Sequence, residues 1–480
     1  MDSLLKEQLK ERAQSLVQIP DHFQPVLEEY FEGENGEGEA MFTWTDDQHD
    51  EGISLTLDLD GNLTRLSIEM KKENAYSASL DETELRQRAE QFLLDHYPHA
   101  LQHLTLYQTK KLTKTYRFYY EQLVMNLPLD DAGCFVDVDA RGEIVEFKYN
   151  GLQPEPEVPK KLIAKEKLSE HVKNRLDFQL IITRLDSVIH NVTEDGLRLV
   201  YKIEPFFMKY KAGVLVPTLT IIHEEDEKEK EEFVTLPPLP ETIVQNDLSS
   251  EEIIGISEEM EVIREVDWGE ETGIVWRDQG WTLDEDVKDL SMDRLFKKHN
   301  EDTVKAFISK KTGKITRFMW IKDRTGDLSL SQKECYQIAI AFLQMIIPDY
   351  YQYLQLIVHD NGDEQNDTRI AFNFHVHNGH GIPIFSEIVV VSVNRQTGQI
   401  DYYSGPSSDL EQLQHIPSEA AISKKEAYDI FSKHLDFKLI WDKNYEENNN
   451  ILAYQACDRH TGKSFRYIDA ITGEIITEKD

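Results

Sequence analysis

SLDETELRQRAEQFLLDHYP (79–98) and SLSQKECYQIAIAFLQMIIP (329–348) are one stretch of sequence written twice. Each begins as an S-x-x-E/Q capping box, Ser79 with Glu82 and Ser329 with Gln332. In such a box the two side chains satisfy free amides at a helix start. Apolar residues then recur at helical spacing: Leu85, Ala89, Phe92 and Leu93 in one, Cys335, Ala339, Phe342 and Leu343 in the other. Both helices are expected to stop before a proline, Pro98 or Pro348, and matching strands follow at Leu104 and Leu354.

The correspondence extends in both directions. Downstream, Phe118-Tyr119-Tyr120 answers Phe372-Asn373-Phe374, and Val136-Asp137-Val138 answers Val391-Ser392-Val393. Leu176-Asp177-Phe178 returns as Leu435-Asp436-Phe437, and upstream Gly61-Asn62-Leu63-Thr64-Arg65 returns as Gly313-Lys314-Ile315-Thr316-Arg317. Self-similarity on this scale is the mark of a duplicated chain. A shorter theme recurs about three times per half: an amphipathic helix, then strands, then a closing hairpin. Its turns end on Gly61, Gly142, Gly313, Gly398 and Gly473, because a tight hairpin needs one residue at positive φ. The unit ending near Ile222 lacks such a glycine.

These boundaries give a first half, 1–223, with units at about 1–72, 79–151 and 159–223. A second half, 241–480, has units at about 249–322, 329–405 and 421–478. Between them lies 224–240, an acidic run followed by Pro237-Pro238-Leu239-Pro240, read as a solvated, stiff linker. Each half is then expected to fold alone.

The units closing on Asp139-Ala140-Arg141-Gly142-Glu143-Ile144 and Asp469-Ala470-Ile471-Thr472-Gly473-Glu474-Ile475 resemble PepSY-type modules. Their duplicated arrangement resembles the YcdB/YcdC-repeat proteins of Gram-positive bacteria. The resemblance implies an α+β fold, with a helix packed on a small antiparallel sheet in each of six tandem PepSY-like units. It also implies a restraining role towards peptidases, and it supplies no catalytic motif.

Composition narrows the partners. The 480 residues hold 52 basic and 89 acidic side chains, a formal charge of −37. Such a surface repels phosphate backbones and anionic lipid, so neither nucleic acid nor membrane is expected, and a protein or peptide is. Cys134, Cys335 and Cys457 are scattered, as in a reducing compartment, and no segment reads as a signal peptide or a bilayer span. The expected location is cytoplasmic.

Candidate chemistry is sparse, and no cofactor is implied. His375 and His377 alternate on a strand, where i and i+2 share a face, with His380 in the following turn, so the three are candidate metal ligands. The competing reading is a polar strand running into a Gly-containing hairpin, and by register the first half places Glu121 and Leu123 at the first two positions. Asp58 to Asn62 and Asp360 to Glu364 superficially resemble calcium loops but lack the twelve-residue spacing and read as turns. Gly33 to Gly38 is a flexible loop whose acidic residues would repel phosphate. Trp268, Trp276 and Trp281 offer a sugar-stacking surface, weighed against plain packing. The reading is therefore a non-catalytic protein that binds or regulates a peptide or protein partner, a peptidase among the options. The alternative is a metal-assisted hydrolase centred on His375, His377 and His380.

Overall fold

The computed structural model describes residues 1–33, 38–46, 51–71, 80–205, 208–218, 232–240, 248–283, 289–358, 368–445 and 447–479. Helix α1 (Ser3–Leu16) starts on Asp2, whose carboxylate accepts the Leu5 N–H. It leads into a meander of β1 (Gln24–Glu32), β2 (Gly38–Thr45), β3 (Gly52–Asp58) and β4 (Leu63–Glu69). After α2 (Glu82–His96) and α3 (Ala100–His103) come β5 (Thr105–Lys111), β6 (Thr115–Glu121), the short pair β7 (Leu123–Val124) and β8 (Leu127–Pro128), β9 (Gly133–Asp139) and β10 (Ile144–Gly151). The long strands form one eight-stranded sheet ordered β1-β2-β3-β4-β10-β9-β6-β5. Period-two alternation on β2 buries Ala40, Phe42 and Trp44, and these meet Leu9 and Ala13 of α1 and Leu85, Ala89 and Leu93 of α2 in one core.

The two matching helices start two residues later than their sequences suggest. The working boxes are Asp81 with Glu84 on α2, and Ser331 with Glu334 on α7 (Gln332–Ile346). Ser79 lies outside the described residues. The shift has a local cause: the Leu80 N–H donates to the Ala140 carbonyl and the Leu330 N–H to that of Arg395. Each helix entry is thus tied in extended form to the closing turn of its own unit.

The chain continues with α4 (Lys165–Lys173), β11 (Asp177–Leu185), β12 (Gly196–Glu204), β13 (Lys209–Lys211) and β14 (Glu232–Thr235). A second block follows: α5 (Ser250–Ile254), β15 (Met260–Asp267), β16 (Glu271–Asp278), α6 (Met292–Asn300), β17 (Thr303–Ser309), β18 (Ile315–Trp320), α7, α8 (Pro348–Tyr351), β19 (Leu354–Val358), β20 (Arg369–His377), β21 (Pro383–Asn394) and β22 (Ile400–Ser404). Its order, β15-β16-β17-β18-β22-β21-β20-β19, repeats the first sheet strand for strand. The chain ends with α9 (Leu410–His415), α10 (Lys424–His434), β23 (Leu435–Asn444), β24 (Asn449–Asp458), β25 (Phe465–Asp469) and β26 (Ile475–Thr477). The architecture is α+β and strand-rich, antiparallel apart from a parallel bridge between Ile182 of β11 and Ile384 of β21.

The third unit of each half does not close on itself. The hairpin β11–β12 pairs with β25–β26, giving the order β11-β12-β25-β26, while β23–β24 pairs with β13. Helix α10 packs on β11 and α4 packs on β23, so the two units have exchanged their first hairpins. The contacts are reciprocal to the atom. Tyr201 Oη on β12 donates to the Ile422 carbonyl ahead of α10 at 2.8 Å, and Tyr454 Oη on β24 donates to the Ile163 carbonyl ahead of α4 at 3.1 Å. Lys424 pairs with Asp177 at 3.3 Å and Lys165 with Asp436 at 3.1 Å. These ion pairs are exposed and contribute at most about 1 kcal/mol each. Burial decides: Leu168, Val172 and Phe431 are fully buried, with Phe178 and Phe437 nearly so, each worth about 1.5–3 kcal/mol.

The halves are interleaved: residues 177–204 pair into a sheet of the second half, and residues 435–458 pair with β13 of the first. The linker is not a free spacer throughout. Its residues 232–235 form β14 on the edge of β19, Leu236 is buried, and the Pro237 carbonyl accepts from Tyr351 Oη at 2.9 Å. The apolar Phe233, Val234 and Leu236 supply the reason; the acidic run itself lies mostly outside the described residues. The first block also touches the second: the Glu28 N–H on β1 donates to the Leu290 carbonyl at 2.8 Å, just ahead of α6. No helix among the described residues is long and apolar enough to cross a membrane.

The exchange predicts complementation. Fragments 1–229 and 230–480, mixed after separate expression, should form a one-to-one complex by size-exclusion chromatography. Residues 165–204 and 424–477 should gain amide-exchange protection only in the mixture. Full protection of 435–477 in the second fragment alone would refute the exchange.

The closing glycines allow a sharper comparison. Gly61, Gly142, Gly313, Gly398 and Gly473 have φ of 81°, 86°, 66°, 69° and 77°. A Cβ on Gly142 would stand 2.8 Å from Leu80 Cδ1, whereas one on Gly313 would meet nothing within 4 Å. Gly313→Ala should therefore cost about 1–2 kcal/mol from backbone strain alone, and Gly142→Ala slightly more, because the end of the Leu80 side chain must also shift. Urea unfolding of the full chain would compare them, and equal losses would disprove the packing contribution.

Candidate functional site

The histidines come first because they carry the sequence's sharpest chemical hypothesis. His375 pairs across the sheet with Gln355 of β19 and Ile388 of β21, and its ring stacks on Phe233 of β14 at 5.1 Å between centroids. His377, beyond a break in the β20–β21 register, is buried, and its Nδ1 accepts the Gly379 N–H at 2.9 Å. Burial, reinforced by neighbouring His375, holds its pKa below the ordinary imidazole value. It is therefore neutral at physiological pH and committed to the turn. The His380 backbone N–H donates to Asn378 Oδ1, and Gly379 and Gly381 both have positive φ. Among the described residues no group of three His, Cys, Asp or Glu side chains is placed to hold a metal ion. The three histidines build a hairpin and one stacking contact.

The other candidates resolve in the same way. Asp58 Oδ1 accepts the N–H groups of Asp60 and Asn62, an Asx-type turn. The loop at 360–364 lies outside the described residues, as does most of 33–38. The tryptophans do not converge: Trp276 is buried in the core, Trp281 lies under the Arg277 guanidinium at 3.8 Å, and Trp268 is exposed and meets Phe307 edge-on. A cleft of about 510 Å³ at the seam of the two blocks is lined by Trp281, Arg294, Lys298 and His299. There Asp289 accepts the Ser291 N–H and Ser291 Oγ accepts that of Arg294, so both shape the start of α6.

What the structure does show is a sheet edge in use. β14 adds antiparallel to β19 in the register Glu232↔Val358, Phe233↔Ile357, Val234↔Leu356, Thr235↔Gln355. A segment from between the two sheet blocks thus acts as an extended peptide on a preformed edge. The sequence carried a faint signal, the aromatic and β-branched triplet Phe233-Val234-Thr235, which the flanking charge and prolines masked.

The equivalent place in the first sheet is built from β5 and β6. Thr105 pairs with Glu121 and Leu106 with Tyr120, as Gln355 pairs with His375 and Leu356 with Phe374 in the second sheet. Glu121 therefore occupies the position of His375. Burial, with a smaller contribution from the Asp130 charge, pushes its pKa up to about 7. A carboxyl so raised is a receptive site for a cation, whose approach would restore the charged form.

The chain is similar in sequence to known proteins. A family model described as the YcdB, YcdC repeated domain matches residues 6–151 and 244–407, which are the two eight-stranded blocks. The chain is 31% identical to an uncharacterised protein, YcdB of Bacillus subtilis (strain 168), over 98% of both chains. It is 28% identical to YcdC of the same organism, also uncharacterised, over 92% of this chain and 93% of that one. The solved Bacillus megaterium YpeB C-terminal domain aligns with 41% of this chain and 86% of its own, at 13% identity and a TM-score of 0.25.

Glu121 gives a pH signature. Its folded pKa of about 7 exceeds the ordinary 4.5, so the folded state binds the extra proton. Stability from this group is complete below about pH 4.5, falls as pH rises through 7, and stays low above it. Glu121→Gln should raise stability by about 1–2 kcal/mol at pH 8, discounted for partial exposure, and leave it unchanged near pH 4. Melts at the two pH values would test this, and an equal shift at both would remove the ionisation argument.

Proposed function

The chain belongs to the YcdB/YcdC repeated-domain family, and from that premise we propose a non-catalytic binding or regulatory protein that engages an extended peptide or protein segment at a sheet edge. The observation that carries this reading is β14: the fold accepts an added strand on its outer edge, in full antiparallel register. Main-chain pairing supplies affinity in such complexes and the side chains on alternate positions supply selectivity.

The finer organisation follows the same reading. We take the repeated theme as PepSY-like units, about three per half, over 1–72, 79–151 and 159–223, then 249–322, 329–405 and 421–478, with 224–240 between the halves. Restraint of a peptidase is one form the binding takes under this proposal. The formal charge of −37 favours cationic partners over nucleic acid or anionic membrane. Three buried free thiols suit the reducing cytoplasm.

Panning a displayed random-peptide library against the purified chain should enrich sequences that bind with micromolar Kd and are recovered intact by mass spectrometry. Failure to enrich any peptide, or cleavage of those enriched, would overturn the proposal.

A further inference from the structure

The first sheet and the eight strands that repeat it within the larger second sheet present equivalent outer edges in different states. On the second, β19 is covered by β14. On the first, β5 pairs only with β6 among the described residues, and Thr105, Tyr107, Gln108 and Lys111 are exposed. A row of open N–H and C=O groups is a template for another strand unless something discourages it. Here two features narrow the choice of partner. The pairing of β5 with β6 shifts register between Leu106 and Gln108, leaving Tyr107 as a bulge, 52% exposed. Lys110 and Lys111 then end the strand with positive charge. Both disfavour indiscriminate pairing between copies.

The occupied edge supplies the docking geometry. Phe233 on β14 stacks over His375, two strands in. In the first sheet that inner position belongs to Glu121, at the end of β6 and opposite Thr105. An aromatic side chain stacks on the imidazole, and a cation suits a half-buried carboxylate. We propose that Thr105–Lys111 is the docking strand for an extended segment of a partner protein, which adds antiparallel as β14 does on β19. The segment places an Arg or Lys over Glu121 and acidic residues beside Lys110 and Lys111. This inference rests on the edge-binding function proposed above and names its site and the charge pattern it reads. A chain of net charge −37 also draws in a cationic segment from solution.

The probe is a dye-labelled peptide, Glu-Glu-Thr-Thr-Arg-Val-Thr, read by fluorescence anisotropy against the full chain at pH 7.5. Binding should weaken at least tenfold when the probe Arg becomes Glu, when alternate probe nitrogens are N-methylated, and when the protein carries Glu121→Gln. Amide exchange of residues 105–111 should slow in the complex. An unchanged Kd with the N-methylated probe or with Glu121→Gln would sink the proposal, as would no binding at all. Peptides from library panning that bind but neither compete with this probe nor protect 105–111 would leave the edge-binding function standing and place its site elsewhere. An absence of any binding peptide would remove both.

Discussion

The structure depends on the exchange of two hairpins. β11–β12 and β23–β24 each carry one apolar face, and each is covered by the helix of the other half. The contacts join residues 221 to 291 positions apart. Closing loops of that length costs about 5 kcal/mol, since the cost grows only with the logarithm of length. The five large side chains buried at the exchange are worth about 2 kcal/mol each, so burial exceeds closure. The third units lie outside the matched repeated domain, which covers 6–151 and 244–407. They serve as the joint between the repeats.

Around that joint, the sheets face the general problem of open edges. β1 is covered where Glu28 meets Leu290, and β19 where it meets β14. The charge balance works at longer range, keeping whole molecules apart while the local pattern at β5 remains distinctive. Because the chain covers some edges and leaves others, the two sheets are equivalent in topology and different in what they offer to solvent.

Much of this was legible in the sequence. The duplicated stretches at 79–98 and 329–348 became α2 and α7, with Leu85, Ala89 and Leu93 buried in one and Cys335, Ala339 and Leu343 in the other, because helical periodicity is a local property. The caps moved by two residues because a tertiary hydrogen bond, Leu80 to Ala140, holds the helix entry extended. The exchange was invisible for a deeper reason. Since the duplicated hairpins carry the same pattern, Phe178 fits α10 as well as α4, and sequence periodicity cannot distinguish a partner from its own copy. For the histidines, spacing allowed either convergence or a plain hairpin, and the structure sets them beside a break in register with the His377 ring buried. The edge site left almost no trace, because backbone groups carry it and every sequence has those.

Internal occupancy gives the asymmetry between the sheets its meaning. β14 is tethered to the sheet it covers, so it competes at an effective concentration of about millimolar. A free peptide at micromolar concentration must overcome that advantage to reach β19, and meets no such competitor at β5 among the described residues. Duplication made two equivalent edges; with β19 covered, β5 is the open member of that pair among the described residues. The substitution of Glu121 for His375 at the matching position then has a consequence that the covered edge lacks. On the second sheet the side chain stacks on Phe233, while on the first Glu121 lies one strand in from the open β5 and sets which charge is welcome there.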